Sequence, residues 1–199
     1  MYYPLRKIGY RPPRAVPAPR DVPPGIGIPV CRLHRGIYRP VQQTFHLLNR
    51  EVSFGRDINW QFRGFGLLWQ FHLYYFDWLK DTNISLSGRL GSIIHFIDNQ
   101  KDKEVLFSSY TTALRTRNWI IFCIESQISD NRVTAFLFRE LDRLSHFPEY
   151  EIGGNHLLES GISLVWGGIY FKNSRMLQIG RKILLRELGR QILPDGVSL

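Results

Sequence analysis

With 199 residues, 44% of them hydrophobic and 14% aromatic, the chain has the material for one domain with a full core, which excludes a largely disordered polypeptide. Its formal net charge of +9 is concentrated at one end: residues 1–40 carry eight Lys/Arg against Asp21 alone, a net +7, and the other 159 residues carry only +2. That distribution argues against a nucleic-acid-binding face on the folded part, because phosphate recognition needs basic residues gathered on the domain surface.

Nine of the eleven prolines fall within residues 1–40, and RPPRAVPAPRDVPPGIGIP has no hydrophobic period. This stretch is expected to be an extended, polyproline-like lead-in, either a solvated linker or an arm for an anionic surface or partner. Its prolines and arginines interrupt the apolar run a secretory signal needs, so a cytoplasmic location is expected, and no apolar run approaches the roughly 20 residues of a membrane span. Cys31 and Cys123 stand far apart, in no CxxC or Cys/His ligand spacing. Free thiols are expected, with no metal site and no cofactor.

The second region, residues 41–199, opens with aromatic and polar residues mixed and reads as helix beyond Gly66. LLWQFHLYYFDWLKD (67–81) repeats apolar residues at helical spacing through Leu68, Phe71, Tyr75, Trp78 and Leu79. SLSGRLGSIIHFIDNQ, YTTALRTRNWIIFCIESQ and DNRVTAFLFRELDRLSHF follow, each one helix long. Pro148 and Gly153-Gly154 break the pattern before NHLLESGISLVWGGIYF, and SRMLQIGRKILLRELGRQIL precedes Pro194-Asp195-Gly196. With no alternating segments after residue 66, the expected fold is all-α: about six helices in antiparallel hairpins that stack as a solenoid or curve into a toroid.

Three constellations carry chemistry. In GGNHLLESG, Asn155 and His156 stand at the head of a greasy helix, and His156, Glu159, Ser160, Ser163 and Gly167 form one narrow polar or small stripe. Asn155 can be an ordinary N-cap; the sharper reading is a pair of donors at a helix N-terminus, where the dipole and unpaired N–H groups favour an anion. The ring-dense block Trp69, Phe71, Tyr74, Tyr75, Phe76 and Trp78, with His72 and Asp77 interleaved, can be core or a platform for sugar rings. LRTRNW places Arg115, Arg117 and Asn118 just before an apolar run.

LWQFHLYYFDWL, LRTRNWI, GNHLLE with the small-residue helix that follows, and ELGRQILPDG together resemble, in order across residues 45–196, the N-terminal domain of the heparinase II/III-like polysaccharide lyases. The resemblance implies a partial (α/α) toroid whose cleft takes an acidic polysaccharide and cleaves it at uronates by β-elimination. It assigns the neutralising role to Asn155 and His156, and a substrate-binding set of His72, Tyr74, Tyr75, Arg115, Arg117, Asn118 and Glu159, with Glu159 an orienter of His156 or a packing contact rather than a proton carrier. Such a role has a clear chemistry: removing the proton beside an ionised carboxylate adds charge to an anion, and donors aimed there stabilise that charge as it forms.

This chain departs from the family in having His72 where Asn is usual and Tyr74 where His is usual, so a different specificity is expected. In the family the chain runs on through a catalytic tyrosine, the rest of the toroid and a β-sandwich; the base and acid are therefore expected beyond Leu199, and the residues present are expected to form an incomplete enzyme that self-associates through the exposed toroid edge. Family members are often periplasmic. The alternatives are a non-catalytic acidic-glycan-binding or surface-polysaccharide assembly protein of the same lineage, and a basic-tailed nucleic-acid or membrane-surface binder.

Overall fold

A computed structural model describes residues 37–81, 83–100 and 108–191, with residues 11, 13 and 15–17 of the lead-in. The rest of the expected lead-in, Cys31 and the end of the chain from residue 192 lie outside the described residues.

The described fold opens with a small antiparallel sheet, β1 (Tyr38–Arg39), β2 (Thr44–Leu47) and β3 (Arg50–Ser53), ordered β1-β2-β3. β2 and β3 are joined at Leu48-Asn49, both left-handed with φ 51° and 57°, the backbone of a tight hairpin turn. The sheet was not expected. Its strands are two to four residues long, and β2 buries Thr44 as well as Phe45 and Leu47, so the period-2 pattern that announces a strand is blurred.

After the sheet and an irregular stretch over residues 54–65, the regular elements among the described residues are helical, in keeping with the all-α expectation: α1 (Gly66–Tyr75), a 3₁₀ turn (Asp77–Lys80), α2 (Leu86–Gln100), α3 (Ser109–Glu125), α4 (Asn131–His146), α5 (Gly154–Tyr170) and α6 (Ser174–Gln191). Polar side chains start four of them. Ser85 Oγ accepts from Gly88 N (3.1 Å) at α2, Ser108 Oγ from Thr111 N (3.4 Å) at α3, Asp130 Oδ1 from Arg132 N (2.8 Å) at α4, and Asn173 Oδ1 from Met176 N (3.0 Å) at α6. Neither α1 nor α5 has a side-chain cap. Among the described residues no helix is long and apolar enough to cross a membrane.

All the rings of the block but Phe71 are buried, and they interlock with rings from the irregular stretch before α1, from α2 and from α3. Trp60 stacks on Phe76 at 5.5 Å, Phe96 of α2 meets Trp60 edge-on at 5.0 Å, and Trp119 of α3 meets Phe76 at 5.0 Å. α5 packs most extensively on α6 and next on α3, while α3 also contacts α1 and α4. Since only Phe171–Asn173 link α5 to α6, the two can lie side by side only by reversing direction. The α1, α3 and α5 contacts position the site.

Candidate functional site at the head of α5

Gly153 (φ 64°, ψ −154°) is the residue before α5, and Gly154 follows it with φ 55°. Both values favour glycine, and a Cβ at either would meet nothing within 4 Å, so the backbone here borders open space. Asn155 is therefore not the N-cap: it stands inside the first turn, exposed, and the first amides of α5 have no side-chain acceptor. His156 follows with 42% of its side chain exposed. Both polar groups can reach solvent.

The surroundings of His156 come from two other elements. Its Nδ1 lies 2.8 Å from Glu149 Oε2 in the α4–α5 connection, and Glu149 Oε1 accepts the Ser109 N–H at the head of α3 (3.1 Å). Tyr110, the next residue of α3, stacks on the imidazole with centroids 4.3 Å apart and planes at 27°. Tyr75 meets Tyr110 edge-on at 5.9 Å, and His72 lies 4.9 Å from the Tyr75 ring. One turn along α5, Glu159 pairs with Arg117 of α3. Asp77 pairs with Lys80 at 2.8 Å and accepts from Asn118 Nδ2 at 3.0 Å; the same nitrogen donates to Tyr75 O at 2.8 Å.

Burial sets the titration of these groups. It pushes the Tyr75 hydroxyl up to about 12, with Tyr110 and Asp77 adding to the effect. Burial, reinforced by the Glu159 carboxylate, also raises Tyr110. Glu159 is raised because burial outweighs its partner Arg117, and His72 is lowered because burial outweighs Asp77. Neither tyrosine is thus prepared as a phenolate base. The carboxylates Asp77, Glu149 and Glu159 face Lys80, His156 and Arg117 one to one. The groups left to meet a ligand are the Asn155 amide, the first backbone amides of α5 and His156 Nε2.

The fold brings together His72, Tyr75, Arg117, Asn155, His156 and Glu159 of the expected set, with Asn118 buried beneath them, and moves Arg115 and Tyr74 away. Arg115 is 1% exposed, with its guanidinium on Glu140 of α4 and over the Phe96 ring at 5.2 Å. It stands on the opposite side of α3 from Arg117, where no glycan can reach it. Tyr74 is 2% exposed, its hydroxyl accepting from Gln70 Nε2 (3.1 Å) and Gln61 Nε2 (3.2 Å) inside the core. Asn118 is likewise buried, so it ties Tyr75 and Asp77 in place rather than meeting a ligand; its Oδ1 has no partner among the described residues.

Sequence reasoning missed Tyr110 and Glu149. Tyr110 stands seven residues before Arg117, a spacing that shares one helix face and could have signalled it. Glu149 lies in a connection without periodicity, where no local signal exists. The polar stripe of α5 is also mostly a seam with α3, since Ser163 Oγ lies 2.7 Å from Thr116 Oγ1; only its first turn is open. Two clefts of about 380 and 250 Å³ flank Tyr38 and Pro40 beside β1, and neither is lined by a residue of this cluster. Among the described residues no group of three or more His, Cys, Asp or Glu side chains is arranged to hold a metal ion. No family model, curated protein or solved structure matches the chain, so the reading of the site rests on its own residues.

Proposed function

We propose that this chain is the N-terminal part of a polysaccharide lyase-like protein, a partial (α/α) toroid that receives the uronate carboxylate of an acidic polysaccharide at the head of α5. The observation that carries the reading is the exposed Asn155 amide beside the part-exposed His156 imidazole, on a helix that begins without a side-chain cap. An anion placed there meets unpaired backbone amides, the positive end of the helix dipole and the Asn155 NH₂ together.

In the reaction the C5–H bond of the uronate breaks to a base, the electron pair forms the C4=C5 double bond, and the C4–O bond breaks to the leaving sugar, which takes up a proton. Negative charge grows on the carboxylate as C5 loses its proton, and the Asn155 and His156 donors stabilise that growth. The upward shifts of Tyr75 and Tyr110 leave both as phenols. Neither tyrosine is therefore the base that takes the C5 proton.

A second reading, a non-catalytic acidic-glycan binder of the same lineage, is favoured by the pairing of Arg117 and Lys80 with carboxylates, which leaves the site with few free cations. Incubating the protein with uronate-containing polysaccharides separates the two. Growth of an ultraviolet-absorbing unsaturated uronate supports the lyase, whereas calorimetric binding without product supports the binder. In either case Asn155→Ala is expected to weaken binding by about 10- to 100-fold, the worth of one hydrogen bond to a charged group, without lowering Tm. An unchanged affinity in that variant rejects the α5 head as the site.

A further inference from the structure

The pairing of His156 with Glu149 determines which ring nitrogen faces the open side. We infer that Glu149 is a positioning residue that holds His156 in the Nδ1–H tautomer, so that the ring meets a ligand through Nε2 and donates to a carboxylate only as the imidazolium. The tautomer follows from the structure alone; the consequence for the carboxylate rests on the proposed reading of the α5 head.

An ionised carboxylate can only accept, so Nδ1 at 2.8 Å from Glu149 Oε2 carries the proton. Glu149 cannot easily turn away, because its other oxygen accepts the Ser109 N–H, and Ser109 is itself fixed by donating from Oγ to Phe147 O at 2.8 Å. Tyr110, stacked on the ring, opposes a flip that would exchange the nitrogens. In the neutral ring Nε2 is then a lone pair, which repels a carboxylate and can only receive a proton; in the imidazolium the same atom becomes a donor. Asn155 differs in kind, since its NH₂ donates whatever the pH. The charged and titratable groups against His156 are Glu149 from the α4–α5 connection and Tyr110 from α3; beyond them Arg117 of α3 pairs with Glu159 of α5, and Asp77 and Lys80 after α1 act on Glu159.

His95 supplies the opposite case in the same molecule. Trp60 Nε1–H donates to His95 Nδ1 at 2.8 Å, so that nitrogen bears no proton, and His95 Nε2 lies 2.5 Å from Asp57 Oδ1. The two histidines are therefore expected in opposite tautomers.

Long-range ¹H–¹⁵N correlation spectra of the histidine-labelled full chain read this directly. In the spectra of the neutral rings His156 should show a protonated Nδ1 and a bare Nε2, and His95 the reverse. Glu149→Gln should shift His156 towards the Nε2–H form while His95 keeps its pattern, which also reports that the variant is folded. A bare Nδ1 on His156 in the unaltered chain, or a pattern that Glu149→Gln leaves unchanged, overturns the inference.

Binding of an oligoguluronate probe is then compared at a lower pH where the same spectra show His156 as the imidazolium and at a higher pH where they show it neutral. The unaltered chain should bind about ten-fold or more weakly at the higher pH, the worth of losing a charge-assisted bond, and Glu149→Gln should show a shallower fall. Equal affinity at the two values overturns the imidazolium requirement. Absence of binding at both values defeats the proposed reading of the α5 head, while the tautomer spectra still decide the role of Glu149.

Discussion

Arg115 and Arg117 stand two residues apart in α3, and a helix turns about 200° over that interval. Arg117 consequently points to Glu159 at the α5 head, whereas Arg115 points between α3 and α4 to Glu140, which also holds Arg143 at 2.5 Å. Burial works to raise Glu140, but Arg143 and Arg115 outweigh it and hold the carboxyl below its ordinary value of 4.5. A depressed folded-state value means that the stabilisation is present above 4.5 and is lost as pH falls through the folded value. Arg115→Leu should cost about 3–5 kcal/mol at neutral pH by urea unfolding, since it strips one partner from a buried charge. That penalty should shrink as pH falls below 4.5 towards the depressed folded value, as Glu140 takes up its proton and needs fewer guanidinium contacts. A penalty independent of pH would mean that lost packing, not charge, is what the variant reports. Arg117→Ala, at a pair with more solvent access, should cost only about 1 kcal/mol.

At the scale of the element, α5 presents two faces with different demands. Towards α3 it offers His156, Glu159 and Ser163, which meet Tyr110, Arg117 and Thr116. Towards α6 it offers backbone. A Cβ at Gly168 would lie 2.6 Å from Leu177 N, and one at Gly180 would lie 2.8 Å from both Gly161 O and Val165 N. Ordinary helix propensity favours Ala over Gly by about 1 kcal/mol, yet Gly180→Ala should destabilise by about 1–3 kcal/mol, because backbone on backbone leaves no flexible side chain to give way. Gly189→Ala on the same helix meets nothing within 4 Å and should be neutral or stabilising. Thermal unfolding of the two variants compares them directly; equal Tm values would mean that the seam relaxes at little cost.

At the scale of the molecule, the outer side of α6 and the connection before α5 expose apolar groups: Leu185 is 73% and Ile152 59% exposed. Arg186 lies over the Tyr150 ring at 5.8 Å, which brings these two segments together. An apolar edge of this kind tends to be covered by another surface. Sedimentation velocity should show association that grows with protein concentration, reduced in Leu185→Lys. A monomer at every concentration would show that this edge needs no cover.

Local sequence determined where most of the helices lie, because apolar periodicity, the caps Ser108 and Asp130 and the Gly153-Gly154 break act within a few residues of one another, but not that the run expected over 67–81 breaks at Phe76, whose left-handed backbone ends α1 before the 3₁₀ turn. It also marked Asn155 and His156 as two polar groups at a helix head. Only the tertiary structure decided that Tyr74 closes into the core, that Arg115 serves Glu140 and that Glu149 holds His156. Periodicity says which residues share a face and not which neighbour that face will meet. The partners that settle each role lie 25 residues apart for Arg115 and Glu140 and 42 for Arg117 and Glu159, and packing of the helices alone brings them within hydrogen-bonding reach.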